Sequence, residues 1–249
     1  VHFVWQAAAI GAVYALVRSC LPRGEPRYLL GMLALVALAL CPVLTAWRLL
    51  AGMSAVADSG SAWVVVGSTA APAQAAAQYV SPAWQALLSA SLPWLVLAWL
   101  GGVALLSARV WHHWRKLKIL VRMAETLPAL HERAQALARR FGLRRKVRVL
   151  SSARVATPTL VGWIRPVILL PVAVTWGFPA EQVELILAHE LAHLRRFDHL
   201  ANLFQVMLET LLFYHPVVHW ISRDVRNERE ICCDALALRV SGGNRRDFV

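Results

Sequence analysis

The sequence predicts a mainly α membrane protein, with N-terminal transmembrane helices followed by an α+β domain that sets a small sheet beside one functional helix. Three observations carry this expectation. Hydrophobic residues make up 58% of the 249 residues, above the roughly 45–50% usual for soluble domains. Long uncharged runs are confined to the first 108 residues. Beyond them the chain mixes basic clusters with short extended stretches and amphipathic helical stretches.

Three segments account for the apolar excess. Residues 1–17 are apolar apart from His2 and Gln6, and residues 28–47 and 84–108 contain no charge. About twenty such residues cross a bilayer core, so each segment is expected to span. The first lacks a basic start and a small-residue cleavage site, which favours a retained span over a signal peptide. Arg18, Arg23 and Arg27 crowd the first loop, and Arg109, Arg115, Lys116, Lys118 and Arg122 follow the third span. Cytoplasmic loops collect such positive charge. The expected topology therefore places residues 109–249 in the cytoplasm as one domain, and the N-terminus and second loop outside. That second loop is rich in Ala, Ser and Gly, with an apolar patch at residues 63–66. Contact of the basic segments with anionic lipid accounts for the net charge of +12. No nucleic-acid-binding fold is visible, so none of that charge is assigned to direct nucleic-acid binding. Four scattered cysteines imply no disulfide framework.

In the second half, residues 117–142 read as helix, interrupted or started near Pro128. Residues 147–150, 155–161 and 167–170 read as strands, the last two joined across 162–166. A strand bordering the functional helix either offers its edge to an extended peptide or is a packed sheet edge. Residues 200–214 are strongly apolar, with Asn202, Gln205 and Glu209 near one face. They form a core helix or lie against the membrane; a free-standing span would put Glu209 in hydrocarbon. Pro216 is expected to end or kink this helix and turn the chain back.

The functional helix carries His189-Glu190-Leu191-Ala192-His193. Spacing i, i+4 puts both imidazoles on one face, where they can hold one Zn²⁺ at about 2.0–2.1 Å. Glu190 stands beside them as the candidate catalytic base. Acidic Glu181 and Glu184 suit the helix start, and Val183, Ile186, Leu187, Leu191 and Leu194 make it amphipathic. Catalytic zinc usually takes three protein ligands. Downstream, Glu230 and Asp234 are again i, i+4, so Glu230 is assigned as third ligand and Asp234 as the acceptor that orients an imidazole, that of His189. Glu228 points elsewhere and is expected to be solvated or salt-bridged. Adjacent Cys232 and Cys233 diverge by about 100° and are expected to pack rather than ligate. His219 and Arg223 are candidates to stabilise an oxyanion, with His199, His215 and Tyr214 behind them.

From Leu187 to Leu238 the chain, with HELAH, RRFDHLANLFQVMLETLLFYHPVVHWISRDVRNEREICCDALAL and the upstream PTLVG and RPVILLP, closely resembles the BlaR/MecR-type membrane metallopeptidases. The resemblance implies a zincin-like metallopeptidase domain in which His189, His193 and Glu230 bind zinc and Glu190 is the base. It also implies a protease of the bacterial inner membrane, acting in signal transduction and antibiotic resistance. Its substrate would be a cytoplasmic transcriptional repressor of the beta-lactam response, and the protease itself. Sensor members of that family carry a further span and an extracytoplasmic penicillin-binding domain, neither of which lies in these 249 residues. Two other readings are a housekeeping membrane zinc protease of the prenyl-protein or heat-shock type, and a non-catalytic signalling scaffold with structural zinc. The C-C-D sequence opposes the first, and Glu190 opposes the second, because a structural site has no use for a base.

Overall fold

Residues 2–59, 83–162 and 164–242 are described by the computed structural model. The apolar patch at residues 63–66 and Trp163 of the predicted strand connection lie outside them. The chain opens with three long helices, α1 (His2–Cys20), α2 (Glu25–Ser59) and α3 (Ala83–Met123). Each contains a stretch long and apolar enough to cross a membrane: Phe3–Cys20, Glu25–Arg48 and Ala90–Met123. Pro42 and Pro93 lie inside α2 and α3.

The third helix runs fifteen residues past the end of its uncharged stretch, through the basic cluster to Met123. The helix expected over 117–142 is therefore two pieces. Between them lies the short strand β1 (Glu125–Thr126), and α4 (Pro128–Arg140) begins on its proline. The cause is local. A residue before proline is driven out of the α region, and Leu127 is extended at φ −113°, ψ 91°.

Three further strands complete the sheet: β2 (Arg148–Ser152), β3 (Thr159–Val161) and β4 (Val167–Pro171). The order is β1-β2-β4-β3, with β2 and β4 parallel and both outer pairs antiparallel. The strand expected over 155–161 is shortened to three residues, because Pro158 has no N–H to give the ladder. All of β4 is buried, and its side chains alternate as a strand's must. Ile168 and Leu170 enter a core with α4 and the later helices, while Val167 and Leu169 meet Leu120 and Val121 of α3.

After the short α5 (Val172–Gly177) come α6 (Ala180–Arg195), α7 (Asp198–Leu211) and α8 (Pro216–Ser241). Pro216, expected to stop or kink the apolar helix, instead sits in the first turn of α8; α7 has already ended at Leu211. Helix α8 serves two cores. Its C-terminal half gives Cys233 and Ala237 to the core with the sheet and α6. Its N-terminal half packs with α7, α1 and α2 around Tyr14, Leu35, Leu38, Leu208, Ile221 and Val225. Close approach is needed there: a Cβ on Gly31 of α2 would collide with the Val225 side chain.

Candidate metal centre

Helix α6 is positioned by its apolar stripe. Leu187, Leu191 and Leu194 are buried in the core with the sheet, which turns the imidazoles of His189 and His193 toward α8. Their Nε2 atoms stand 3.2 Å apart. Helix α8 returns beside α6, and Glu230 Oε2 lies 3.4 Å from each of those nitrogens. Atoms bound at about 2.0–2.1 Å in a tetrahedron stand roughly 3.3 Å from one another. The triangle formed here has that edge, and two imidazoles with one carboxylate are a donor set that suits zinc.

Each imidazole is held from behind. His189 Nδ1 lies 2.8 Å from Asp234 Oδ1, the pairing expected from the sequence. His193 Nδ1 lies 2.8 Å from Asp198 Oδ2, a pairing the sequence reading missed. With its Nδ1–H donated to the Asp198 carboxylate, His193 keeps the Nε2 lone pair for the shared point. Asp198 is buried, and the Cys233 thiol donates to the same carboxylate oxygen at 3.1 Å. Cys233 is fully buried in the core, as expected of a packing residue, and its Sγ is also 3.3 Å from His193 Nδ1.

Charge follows from these contacts. Hydrogen bonds from His189 and His193 hold the Glu230 carboxyl well below the usual carboxylate range. Burial works against the His193 cation, but Asp198, Cys233 and Glu230 push it up to about 12. His189 is likewise raised: burial opposes its cation, and the Glu230 carboxylate with the charges of Glu190 and Asp234 overcomes that. Glu190, next to His189, is itself buried, and this burial raises its pKa against the pull of both imidazoles. A backbone hydrogen bond from Leu160 of the outer strand β3 also reaches it. The sheet edge therefore faces the centre.

Other candidates are placed elsewhere. His219 lies eleven residues before Glu230 on α8, about 16 Å along the axis, with its Nε2 2.9 Å from the carbonyl of Phe213. Arg223 is exposed, two turns or about 10 Å from Glu230. His215 is buried at the far end of α8, with its ring against Phe3. Glu228 is not solvated: it is buried, accepts the Gly24 N–H at 2.6 Å and pairs with Arg27 at 3.8 Å. Gly24, at φ +98°, supplies the turn between α1 and α2 that presents this N–H.

Comparison with known proteins identifies the family. A family model described as BlaR1 peptidase M56 matches residues 6–248. The regulatory protein BlaR1 of Bacillus licheniformis is 35% identical over 95 residues, which are 38% of this chain and 16% of that protein. The methicillin resistance mecR1 protein of Staphylococcus aureus is 21% identical over 147 residues, 59% of this chain and 25% of that protein. The matched stretches thus span a quarter or less of those relatives' own length.

Proposed function

Because the chain belongs to the BlaR1 peptidase M56 family, we propose that it is a membrane-embedded zinc endopeptidase of a signalling pathway. The observation that carries this reading is the triangle of His189, His193 and Glu230, with edges of 3.2–3.4 Å and Glu190 beside it. His189, His193 and Glu230 hold the metal, which when bound acidifies a water and polarises the scissile carbonyl. Glu190, buried beside the ligands, would take a proton from the attacking water and deliver it to the leaving amine. Asp234 and Asp198 keep the imidazoles aimed. The edge of β3 receives the substrate as an added strand.

Access supports a catalytic over a structural metal. The side chains of His189, His193 and Glu230 remain 21%, 18% and 47% exposed, whereas structural zinc sites are closed. The charge pattern favours a cytoplasmic catalytic domain at residues 109–249 and three spans before it. The regulatory and resistance names of the relatives favour a transcriptional repressor of the beta-lactam-response type as substrate, with self-cleavage as a second event. The test is the full chain in liposomes with zinc and the repressor encoded nearest to it. Cleavage by wild type, lost with a chelator and in Glu190→Gln, is the expected result. An intact repressor with zinc-loaded wild type would overturn the substrate assignment, and an equal cut by Glu190→Gln would overturn the role of the base.

A further inference from the structure

Helix α7 carries an apolar stripe that nothing among the described residues covers. Leu200, Leu203, Met207 and Leu211 follow one another at spacings of three, four and four, so they line one face. They are 46%, 65%, 50% and 39% exposed. The opposite face, with Ala201, Gln205 and Leu208, is buried. We propose that α7 and the N-terminal half of α8 form a re-entrant hairpin embedded in the hydrocarbon core of the bilayer, and that lipid acyl chains cover this stripe.

The neighbours of this hairpin are α1, α2 and α3. Phe3, at the start of α1, packs its ring on Tyr214 and His215 at the hairpin tip. Tyr14, farther along α1, meets Trp220, and Arg18 near its end pairs with Asp224 at 2.6 Å. From α3, Gly102 lies so close to Phe213 that a Cβ would come within 2.5 Å of its ring. Gly102 sits in the uncharged run of α3, whose Leu95 and Leu105 are 61% and 71% exposed. The stripe therefore continues an apolar surface already assigned to lipid.

Hydrocarbon also demands that every backbone polar group find a protein partner. A helix leaves its last carbonyls orphaned, and three carbonyls at this tip find protein donors. The Trp99 indole donates to Leu211 O at 2.9 Å. His215 N–H donates to Leu212 O at 3.0 Å, and His219 Nε2–H to Phe213 O at 2.9 Å. Two polar pairs are made inside the hairpin, Gln205 with Ser222 and Glu209 with Arg226 at 2.5 Å, while the exposed Asn202 and Arg223 lie toward its base. A tip bathed in water would need none of these. Fourteen residues of α7 reach about 21 Å, short of a hydrocarbon core of about 30 Å, so the element enters and returns on one side. Leu200 lies two residues after Asp198, which places the His193–Asp198 pair at the membrane surface.

The inference stands independently of the peptidase reading, and photolabelling of the unaltered protein tests it. The full chain is reconstituted in liposomes bearing a diazirine on the lipid acyl chain. A parallel sample receives a water-soluble carbene reagent, and adducts are mapped by peptide mass spectrometry. Acyl-chain adducts at Leu203 and Met207, in the range found at Leu95 and Leu105 and with no aqueous labelling, are expected. Aqueous adducts on the stripe at the level of the exposed Trp176 would overturn the proposal. So would the absence of both kinds, which would mean that protein, such as a second copy of the chain, covers the face.

Discussion

The Nδ1 atom of His193 lies 2.8 Å from Oδ2 of Asp198, five residues later and across a helix boundary. The pair depends on Phe197, which takes a left-handed conformation at φ 59° between α6 and α7. For a bulky residue that conformation is an outlier, and here it folds the buried carboxylate back onto the imidazole. Replacing Asp198 by Asn keeps the shape and removes the charge behind the imidazole. Zinc affinity, measured by competition with a chromogenic chelator, is expected to fall about 10–100-fold. Unchanged affinity would show that His193 is aimed by packing alone.

Glu190 lies outside the triangle of ligand atoms, so its loss separates binding from chemistry. Glu190→Gln should keep its zinc while peptide hydrolysis drops by about 10²–10⁴-fold. Loss of zinc along with activity would instead make Glu190 part of the metal's support.

Zinc loading should fall steeply with acid. In the metal-free protein the His193 pKa is pushed up to about 12, so His193 carries an extra proton at neutral pH, and that of His189 is raised in the same direction. Binding needs the Nε2 lone pair and must displace that proton. Affinity therefore rises with pH, and calorimetry in buffers of different ionisation enthalpy should count at least one proton released. Binding that is flat between about pH 6 and pH 8 would contradict this.

Two glycines allow a matched packing test. A methyl on Gly31 meets the buried Val225, whereas no atom of the described residues lies within 4 Å of one on Gly101. Gly31→Ala should cost about 1–3 kcal/mol through overpacking, and Gly101→Ala should cost nothing. Thermal unfolding in detergent reads both, and equal midpoints would mean that α2 does not press on α8 as described.

What the sequence disclosed of the centre was whatever lies within one helix. His189 with His193, and Glu230 with Asp234, follow from i, i+4 spacing, and the His189–Asp234 contact follows once the two helices face each other. Asp198 was hidden because its link to His193 runs through the turn at Phe197, a residue whose type does not advertise a left-handed backbone. Glu228 read as solvated or salt-bridged because its buried partner, the Gly24 N–H, lies 204 residues away. Periodicity marks which face is apolar but not what covers it. For that reason residues 200–214 were legible as an apolar helix and illegible as a neighbour of α1 and α3. Strand β1, two residues long, is below what any alternation pattern can register.

Metal content tests the account most directly. Detergent-purified wild type and Glu230→Ala are compared by mass spectrometry under conditions that preserve bound ions. One zinc per chain in wild type, largely lost in the variant, is the predicted result. Wild type that takes up no zinc after reconstitution, or a variant that keeps it in full, would contradict the site built from His189, His193 and Glu230.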